Sequence, residues 1–592
     1  MSAFIEIEHV DYVYESHNAR THALKDITLS IGAGEYWAIL GRNGSGKSTL
    51  ARLLNGLLTP TSGRVTVAGW STADAHRLRH IRQRVGLVFQ SPDNQLVANT
   101  IEEDVAFGLE NLGVPRDEMA GRIQRALVAV DMWEHRLRPP TRLSAGQKQR
   151  VAIAGILAMR PMCLVLDEAT AMLDPAGRRE VLSLVRELHQ AGVAVVAITH
   201  HMDEALEAEH IAVLHEGELV LSGTPRQVFG EADALERFGL GLPPVPALAR
   251  ELHRHDSRFP PVCLTTAEVL DALRAAQLGF QGNWAASDAR FAGDAGPGPA
   301  STPNHPFFAV RHLSHVYGRG TPFETPSLHD ISLEIGRGES VGVMGPTGSG
   351  KSTLLQHLCG LIRPQAGQVW VEGADLSDGH TDLREVRRRV GMVFQLPEDQ
   401  LFERYVGDDV AFAPRNQGLG RAEVRERVRQ AMEAVGLPFE AFKDRLTFTL
   451  SGGERRKAAL AGVLAMRPTA LLLDEPTAGL DPQGRGELLA RLRQWQTDRG
   501  LTLMVSSHNM DDLVALARHV EVLREGRHML RGVIRDVFAQ AALLREWGLD
   551  LPAAAAISAE LRAAGVPLPP DVISLGELAD ALMRLLPVGE VR

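Results

Sequence analysis

The sequence has few cysteines, no long apolar run and no excess of positive charge. Its three cysteines, Cys163, Cys263 and Cys359, form neither an even disulfide set nor a metal-spaced pair, which fits a reducing compartment. No uncharged apolar run approaches the roughly 18 residues of a transmembrane helix, so any role at a membrane is expected to depend on a partner. The net charge of −10 gives no basic footprint for nucleic acid. The first residues, FIEIEHV, alternate like a strand and lack the pattern of a secretory signal, so we expect no export.

The length and composition predict several soluble domains. A chain of 592 residues exceeds what one hydrophobic core usually organises, which predicts two to four domains. Charged residues at 23% and hydrophobic residues at 44% are typical of a globular protein.

Two glycine-rich loops stand about 300 positions apart. Residues 41–49 read GRNGSGKST and residues 345–353 read GPTGSGKST. Such a loop frees backbone N–H groups to hold phosphate at a helix N-terminus. We expect Lys47 and Lys351 to reach the terminal phosphates, and the hydroxyls of Ser48 and Ser352 to coordinate Mg²⁺. Two matches in similar context exclude chance and predict two nucleotide sites.

The two halves repeat each other in a nearly constant register. Lys47 and Lys351 are separated by 351−47=304 positions, and His200 and His508 by 508−200=308. A third repeated segment follows, at residues 238–255 and 547–564, and then TAEVLDAL matches LGELADAL. Each half is therefore expected to end in a small helical appendage that serves packing or dimerisation and carries no chemistry.

These repeats predict the domain organisation. The predicted parts are a first ATPase domain at 1–230, an appendage at 231–276, a linker at 277–306, a second ATPase domain at 307–538 and an appendage at 539–592. The linker is assigned because its residues, rich in Gly, Ala, Pro, Ser and Asn, bury too little apolar surface to order themselves.

Each half places an apolar strand before a pair of acids, CLVLDE at 163–168 and ALLLDE at 470–475. A buried strand in a parallel α/β sheet delivers such acids to its carboxyl end, where ligands bind. We expect Asp167 and Asp474 to hold Mg²⁺, and Glu168 and Glu475 to polarise the attacking water.

The segments LSAGQ at 143–147 and LSGGE at 450–454 each precede a predicted helix. Ser144 and Ser451 complete a capping-box pattern, which is a sufficient structural reason for both. A serine and small residues at a helix start also offer free amides to an anion, so a second phosphate clamp is the alternative interpretation.

These motifs resemble the ATP-binding cassette (ABC) ATPases, whose LSGGQ signature both halves nearly reproduce. The resemblance implies two tandem α/β P-loop nucleotide-binding domains, each with a helical insert. It also implies that Tyr14 and Tyr317 stack on adenine, and that Gln90 and Gln395 link the nucleotide to a transport partner.

The same resemblance assigns further residues. His200 and His508 are expected to contact the γ-phosphate, and Asp174 and Asp481 to communicate between the sites. The expected nucleotide contacts are Tyr14, Gly41, Asn43, Gly44, Gly46, Lys47, Ser48, Thr49, Gln90, Ser144, Gly146, Asp174, Tyr317, Gly345, Thr347, Gly348, Gly350, Lys351, Ser352, Thr353, Gln395, Ser451, Gly453 and Asp481. The expected magnesium ligands are Ser48, Gln90, Asp167, Ser352, Gln395 and Asp474.

In the family, each ATP lies between one phosphate loop and the other domain's signature. We therefore expect intramolecular pairing, with Ser451 opposite the first loop and Ser144 opposite the second. The departures from the family pattern are Ala145, Ala169 and Glu454, and none removes a catalytic group. The sequence thus predicts two active sites.

Residues 91–114 and 396–419 resemble the energy-coupling factor (ECF) importers. That resemblance implies a peripheral ATPase on the cytoplasmic face of the membrane, bound to a transmembrane coupling protein and a small substrate-capture membrane protein. ATP hydrolysis would drive uptake of a vitamin, a vitamin precursor or a metal ion. The repeated DVAF at Asp104 and Asp409 favours a groove for a partner helix.

Two alternatives stay open at this point. One is a soluble fused ABC ATPase that acts on ribosomes, although such proteins usually have a long charged linker and this linker is glycine-rich. The other is the fused ATPase of a sugar importer, in which the second site is often degenerate.

Overall fold

The structure, a computed structural model, describes residues 3–16, 19–171, 173–277, 306–321 and 323–585. Two compact units make up the chain, Met1–Ala247 with Pro261–Leu264, and Leu248–Pro260 with Thr265–Arg592. Residues 278–305, nearly all of the predicted linker, lie outside the described part.

The first unit contains two sheets. Its strands are β1 (Ile5–Ser16), β2 (Ala19–Ile31), β3 (Tyr36–Leu40), β4 (Ser62–Val67), β5 (Trp70–Ser71), β6 (Val85–Val88), β7 (Cys163–Asp167), β8 (Ala194–Ile198), β9 (His210–His215) and β10 (Glu218–Gly223). An antiparallel sheet has the order β2-β1-β4-β5, and a six-stranded sheet has the order β10-β9-β3-β8-β7-β6. In the larger sheet only β10 is antiparallel to its neighbour.

The helices of the first half alternate with these strands and continue beyond them along the chain. They are α1 (Lys47–Leu54), α2 (Leu78–Arg84), α3 (Ile101–Asn111), α4 (Arg116–Ala129), α5 (Ala145–Ala158), α6 (Pro175–Gln190), α7 (Pro225–Gly230), α8 (Ala232–Arg237), α9 (Pro244–His255) and α10 (Thr266–Gln277). Short 3-10 helices lie at Pro92–Asn94, Trp133–His135, Pro140–Arg142 and Glu204–Glu207.

The second unit repeats the two sheets. Its strands are β11 (Phe308–Tyr317), β12 (Thr325–Ile335), β13 (Ser340–Met344), β14 (Ala366–Val371), β15 (Ala374–Asp375), β16 (Val390–Val393), β17 (Ala470–Asp474), β18 (Thr502–Ser506), β19 (His519–Arg524) and β20 (Arg527–Val533). The orders are β12-β11-β14-β15 and β16-β17-β18-β13-β19-β20, the same topology as in the first unit.

The helices of the second half follow the same plan. They are α11 (Lys351–Leu358), α12 (Leu383–Arg389), α13 (Val406–Asn416), α14 (Arg421–Ala434), α15 (Phe439–Phe442), α16 (Gly452–Ala465), α17 (Pro482–Arg499), α18 (Met510–Leu516), α19 (Ile534–Phe538), α20 (Ala541–Glu546), α21 (Ala553–Ala563) and α22 (Leu575–Leu585), with 3-10 helices at Pro397–Asp399 and Thr447–Thr449. Although α10 belongs to the first half of the sequence, it lies in the second compact unit, where it packs against α21.

The apolar central strands are buried on both faces, as parallel strands usually are. In β7, Leu164 and Leu166 pack into a core with the helices of the insert, α3 to α5. Cys163 and Val165 face the opposite core, beneath the antiparallel sheet. This burial explains the unbroken apolar run before the acids, and it confirms the predicted α/β fold with a helical insert.

Within the described ranges, none of the helices combines the length and apolar character that crossing a bilayer requires.

Candidate functional site

The first glycine-rich loop turns from β3 into α1, and its last glycine is sterically required. Gly46 caps α1 at a φ of 100°, and a Cβ there would lie 2.4 Å from the carbonyl oxygen of Ala23. Lys47 begins α1, and its buried Nζ donates to the carbonyl oxygens of Gly41 at 2.7 Å and Arg42 at 2.8 Å. The ammonium therefore lies against the loop at the N-terminus of α1, where an anion is stabilised.

The second loop has the same construction. Gly350 caps α11 at a φ of 96°, and a Cβ there would lie 2.7 Å from the carbonyl oxygen of Ser327. The Nζ of Lys351 donates to the carbonyl oxygens of Gly345 at 2.7 Å and Pro346 at 3.1 Å. Both loops thus hold a lysine ammonium ready for phosphate.

A pair of hard oxygen donors lies beside the first loop. Asp167 ends β7, and its Oδ1 accepts a hydrogen bond from the Oγ of Ser48 at 2.8 Å. Burial raises the pKa of Asp167, and the nearby charge of Glu168 adds to this, although the Ser48 hydrogen bond opposes it. A cation would relieve that penalty, and Mg²⁺ prefers carboxylate and hydroxyl oxygens, so these residues fit a magnesium ion.

Three side chains converge on the carboxylate of Glu168. Its Oε2 accepts a hydrogen bond from the Nε2 of Gln90 at 2.9 Å. Its Oε1 lies 3.5 Å from the Nδ1 of His200 and 3.8 Å from the Nζ of Lys47. The structure therefore brings together four residues that sequence analysis selected from separate segments.

The charge state of Glu168 follows from these contacts. Burial alone would raise its pKa, but the contact with His200, the electrostatic effect of that imidazole and the charge of the Lys47 ammonium outweigh burial and lower it. Glu168 is therefore held ionised, as a proton acceptor requires.

The second unit surrounds its glutamate differently. The Oε2 of Glu475 accepts a hydrogen bond from the backbone N–H of His508 at 3.1 Å, and its Oε1 lies 3.4 Å from the Nε2 of His508. Asp474 accepts a hydrogen bond from the Oγ of Ser506. Burial raises the pKa of Glu475 to about 8; Lys351 and the His508 N–H oppose the rise, and the nearby carboxylates add to it.

A buried arginine distinguishes the second site. The guanidinium of Arg456, on α16, donates to the backbone carbonyl oxygens of Glu475 and, at 2.9 Å, of Gln395. The corresponding residue of the first half is Gln149, whose Nε2 is 3.5 Å from the carbonyl oxygen of Phe89. The segment that ends in Gln395 is thus tied to the acid through Arg456 and two backbone carbonyls, whereas Gln90 bonds the acid directly.

Two segments of the chain match the protein-family model described as ABC transporter, at residues 24–171 and 328–478, together about half of the chain. The chain belongs to the ABC transporter family. This confirms the resemblance drawn from the loops and signatures, and ATP hydrolysis is the activity that membership indicates.

Relatives of this ABC chain include both fused and single ATPases. A Bifidobacterium longum protein, named provisionally as an ABC transporter ATP-binding protein, is 38% identical over 529 residues; the match spans 84% of this chain and 62% of that protein, less than two thirds of its length. A similarly named Methanosarcina mazei protein is 34% identical over 594 residues, 99% of this chain and 97% of that one. An energy-coupling factor transporter ATP-binding protein of Symbiobacterium thermophilum is 52% identical over 274 residues, 46% of this chain and 94% of that one. The ABC chain is therefore a tandem ATPase with a half similar to ECF ATPases.

The two tyrosines assigned to adenine stand beside the loop helices of the ABC chain. The hydroxyl of Tyr14 lies 3.3 Å from the Oγ1 of Thr49, and that of Tyr317 lies 3.2 Å from the Oγ1 of Thr353. Tyr14 is 38% exposed and Tyr317 is 42% exposed, so part of each side chain is open to solvent.

The signature serines of the ABC chain cap their helices. The Oγ of Ser144 accepts from the N–H of Gln147 at 3.2 Å, and the Gln147 Oε1 accepts from the Ser144 N–H at 3.1 Å. Ser451 and Glu454 form the same reciprocal pair at 3.3 and 2.8 Å. The capping interpretation is confirmed for both segments, and phosphate binding there stays a prediction.

The two aspartates assigned to communication also cap helices. The Oδ1 of Asp174 accepts from the N–H of Gly177 at 2.8 Å, and that of Asp481 from the N–H of Gly484 at 2.8 Å. They begin α6 and α17, whereas Glu168 and Glu475 follow the neighbouring strands.

Three further residues near the two sites were not predicted from the sequence: Arg456 and two buried acids, Glu204 and Asp512. Each of the two acids lies four residues after the histidine assigned to its site, His200 or His508. That repeated spacing is the signal that could have found them.

Proposed function

We propose that this chain is the ATP-hydrolysing, energy-coupling subunit of an ECF-type importer, bound to the cytoplasmic face of a membrane through a coupling protein and a small substrate-capture protein. The convergence of Gln90, His200 and Lys47 on Glu168 carries the catalytic part of the proposal. The 52% identity to an ECF ATPase supports the transport part.

The residues of the first site suit phosphoryl transfer to water. Lys47 holds the terminal phosphate, and Glu168 accepts the proton of the attacking water while His200 keeps the carboxylate oriented. When bound, Mg²⁺ offsets the phosphate charge, and Ser48 and Asp167 would hold it.

A second part of the proposal is a docking surface on each unit, which we call its insert surface and define by Val97 and Phe107 in the first unit and by the equivalent Phe402 and Phe412 in the second. In the first unit Val97 is 67% exposed and Phe107 is 53% exposed. The Oδ1 of Asp104 accepts from the N–H of Val97 at 2.7 Å and fixes the loop that presents it. The acid of DVAF therefore shapes an apolar surface.

The second unit presents the same surface. The Oδ2 of Asp409 accepts from the N–H of Phe402 at 2.9 Å, and the rings of Phe402 and Phe412 meet edge to face with centroids 4.6 Å apart. Phe402 is 64% exposed. Exposed aromatics at repeated positions suit the apolar face of a partner helix.

The reaction is tested by steady-state ATP hydrolysis with Mg²⁺. In an assay run above pH 8, where both carboxylates are ionised, Glu168→Gln or Glu475→Gln should each lower turnover at its own site by about 10²-fold or more, because the proton acceptor is lost. A double variant that hydrolyses ATP at the wild-type rate contradicts the proposed role of both glutamates.

The transport role is tested by copurification from membranes in mild detergent, followed by mass spectrometry. Wild type should bring down an integral coupling protein and a small membrane protein, and Phe107→Asp with Phe412→Asp should lose them while retaining ATP hydrolysis. Val128→Asp is the matched control, because Val128 is 57% exposed on α4 of the same insert. Recovery of ribosomal proteins alone would refute the importer assignment.

A further inference from the structure

A buried carboxylate in the first unit joins three segments of the chain. The Oε1 of Glu204 accepts hydrogen bonds from the Oγ1 of Thr170 at 2.6 Å and the Nε of Arg178 at 2.8 Å. Thr170 and Glu204 are buried, and Arg178 also reaches the Oδ2 of Asp203 at 3.0 Å. We call Thr170, Arg178 and Glu204 the acid clamp of this unit.

Each member of the acid clamp stands next to a residue of the proposed site. Thr170 follows Glu168 by two positions and Glu204 follows His200 by four. Arg178 lies in the first turn of α6, where its N–H donates to the carbonyl oxygen of Asp174 at 2.9 Å. One carboxylate therefore fixes the distances between the segments that carry the proton acceptor, the histidine and the helix-capping aspartate.

The second unit builds the same acid clamp with a shorter acid. Asp512 is fully buried; its Oδ1 accepts from the Nε of Arg485 at 2.6 Å, and its Oδ2 accepts from Thr477 and, at 3.2 Å, from the Oγ of Ser507. Asp512 lies on the α-helix α18, whereas Glu204 lies on a 3-10 helix. Between the halves, the contact persists although the acid and the local helix type both change.

Stability alone accounts poorly for this arrangement. A buried ion pair is often no more stabilising than apolar residues of similar volume, because both charges lose water. Elsewhere on the same two elements, Arg186 of α6 makes two hydrogen bonds to Glu207, at 2.6 and 2.8 Å, with half of the arginine exposed. That surface pair already joins α6 to the 3-10 helix without burying a charge.

We propose that the acid clamp is a positioning device for ATP hydrolysis: it acts through Glu168 and His200, and in the second unit through Glu475 and His508, without touching the nucleotide. This inference rests on the proposed function. Loss of one member should let the proton acceptor and the histidine shift, and displacements of about 1 Å can cost up to about 10²-fold in turnover.

The test uses the full chain carrying Glu475→Gln, so that turnover comes from the site of Glu168. In this parent, Thr170→Val should lower kcat about 10-fold while the KM for ATP stays within about 2-fold, because the loop and Lys47 are untouched. Thr170→Ser keeps the hydroxyl and should retain the kcat of the parent. Valine has nearly the volume of threonine, so Thr170→Val removes one hydrogen bond of the acid clamp without changing the packing. Replacing Glu204 itself would also remove the buried charge that Arg178 pairs with, and the variant could fail to fold for that reason alone.

The matched control is Arg186→Gln, which removes the exposed pair between the same two elements and should leave kcat unchanged. A Thr170→Val protein with the kcat of the parent overturns the acid clamp. So does a kcat that falls only in proportion to the folded fraction measured by thermal melting. If the Glu475→Gln parent hydrolyses ATP no faster than the double variant with Glu168→Gln and Glu475→Gln, the proposed function itself is refuted, and the acid clamp with it.

Discussion

A buried histidine beneath the second phosphate loop should make the second unit sensitive to acid. His357, on α11, is fully buried, and its Nδ1 contacts the carbonyl oxygen of Thr353 at 2.7 Å. Its ring centroid lies 4.9 Å from that of His315. Burial lowers the pKa of His357 to about 4; the contact with Thr353 opposes the shift and His315 adds to it. The equivalent residue in the first unit is Leu53.

The size of the effect follows from the two pKa values. An unfolded histidine has a pKa of about 6.5, so the unfolded chain binds the proton first as the pH falls. The stability contribution is fully present above about pH 6.5 and is lost as the pH falls toward 4. At pH 5 the loss amounts to about 2 kcal/mol relative to pH 7.

His357→Leu should remove this loss. At pH 7 the variant should be no less stable than wild type, because the unpartnered Nε2 of His357 is removed from the core. The assay is urea unfolding at pH 7 and pH 5, followed by labelling of Cys359 with a pyridyl disulfide and peptide mass spectrometry. Cys359 is buried in the same core, so its labelling reports this unit alone. The variant His380→Gln, which alters an exposed side chain, is the control; equal pH dependence in wild type and His357→Leu would refute the reasoning.

Two further predictions concern single residues with matched partners. Gly46→Ala should abolish one of the two equivalents of nucleotide bound in a calorimetric titration, because the new Cβ would lie 2.4 Å from a backbone oxygen. Its control is Gly192→Ala, at a φ of 91° with no atom within 4 Å of the new Cβ. This variant should lose only about 1 kcal/mol of stability and still bind both equivalents. Arg456→Met should destabilise the second unit by about 3 kcal/mol, since two buried carbonyls lose their donor, whereas Gln149→Met should cost about 1 kcal/mol or less in the first. Urea unfolding measures the stability of the Arg456→Met and Gln149→Met variants, and equal losses of stability in the two would contradict the assigned role of Arg456.

The fold and the loops were predictable because their signals are local. Gly46 and Lys47 belong to one continuous motif, and the unbroken apolar run that ends at Asp167 predicts a strand buried on both faces. The capping boxes at Ser144 and Ser451 likewise need only four consecutive residues.

The differences between the two sites were not predictable, because they depend on contacts between distant segments. Glu168 and Glu475 occupy the same place in nearly identical motifs, yet the pKa of one is lowered and that of the other raised. The cause lies in neighbours that only the fold supplies. Arg456 stands 61 positions from the carbonyl of Gln395 that it binds, and sequence spacing does not reveal such a pair.

The hydrogen bond from Gln90 to Glu168 has a mechanical consequence. Gln90 is seven positions from Val97 of the insert surface, so a partner bound there, as proposed, would lie close along the chain to the hydrogen bond that Glu168 accepts. In the second unit, the guanidinium of Arg456 holds the backbone carbonyls of Glu475 and Gln395 together. A partner bound to that insert surface would therefore displace the backbone around Glu475 less easily. Two sites that arose as copies of one sequence are therefore expected to differ in how easily a partner shifts them, with the first more easily moved than the second.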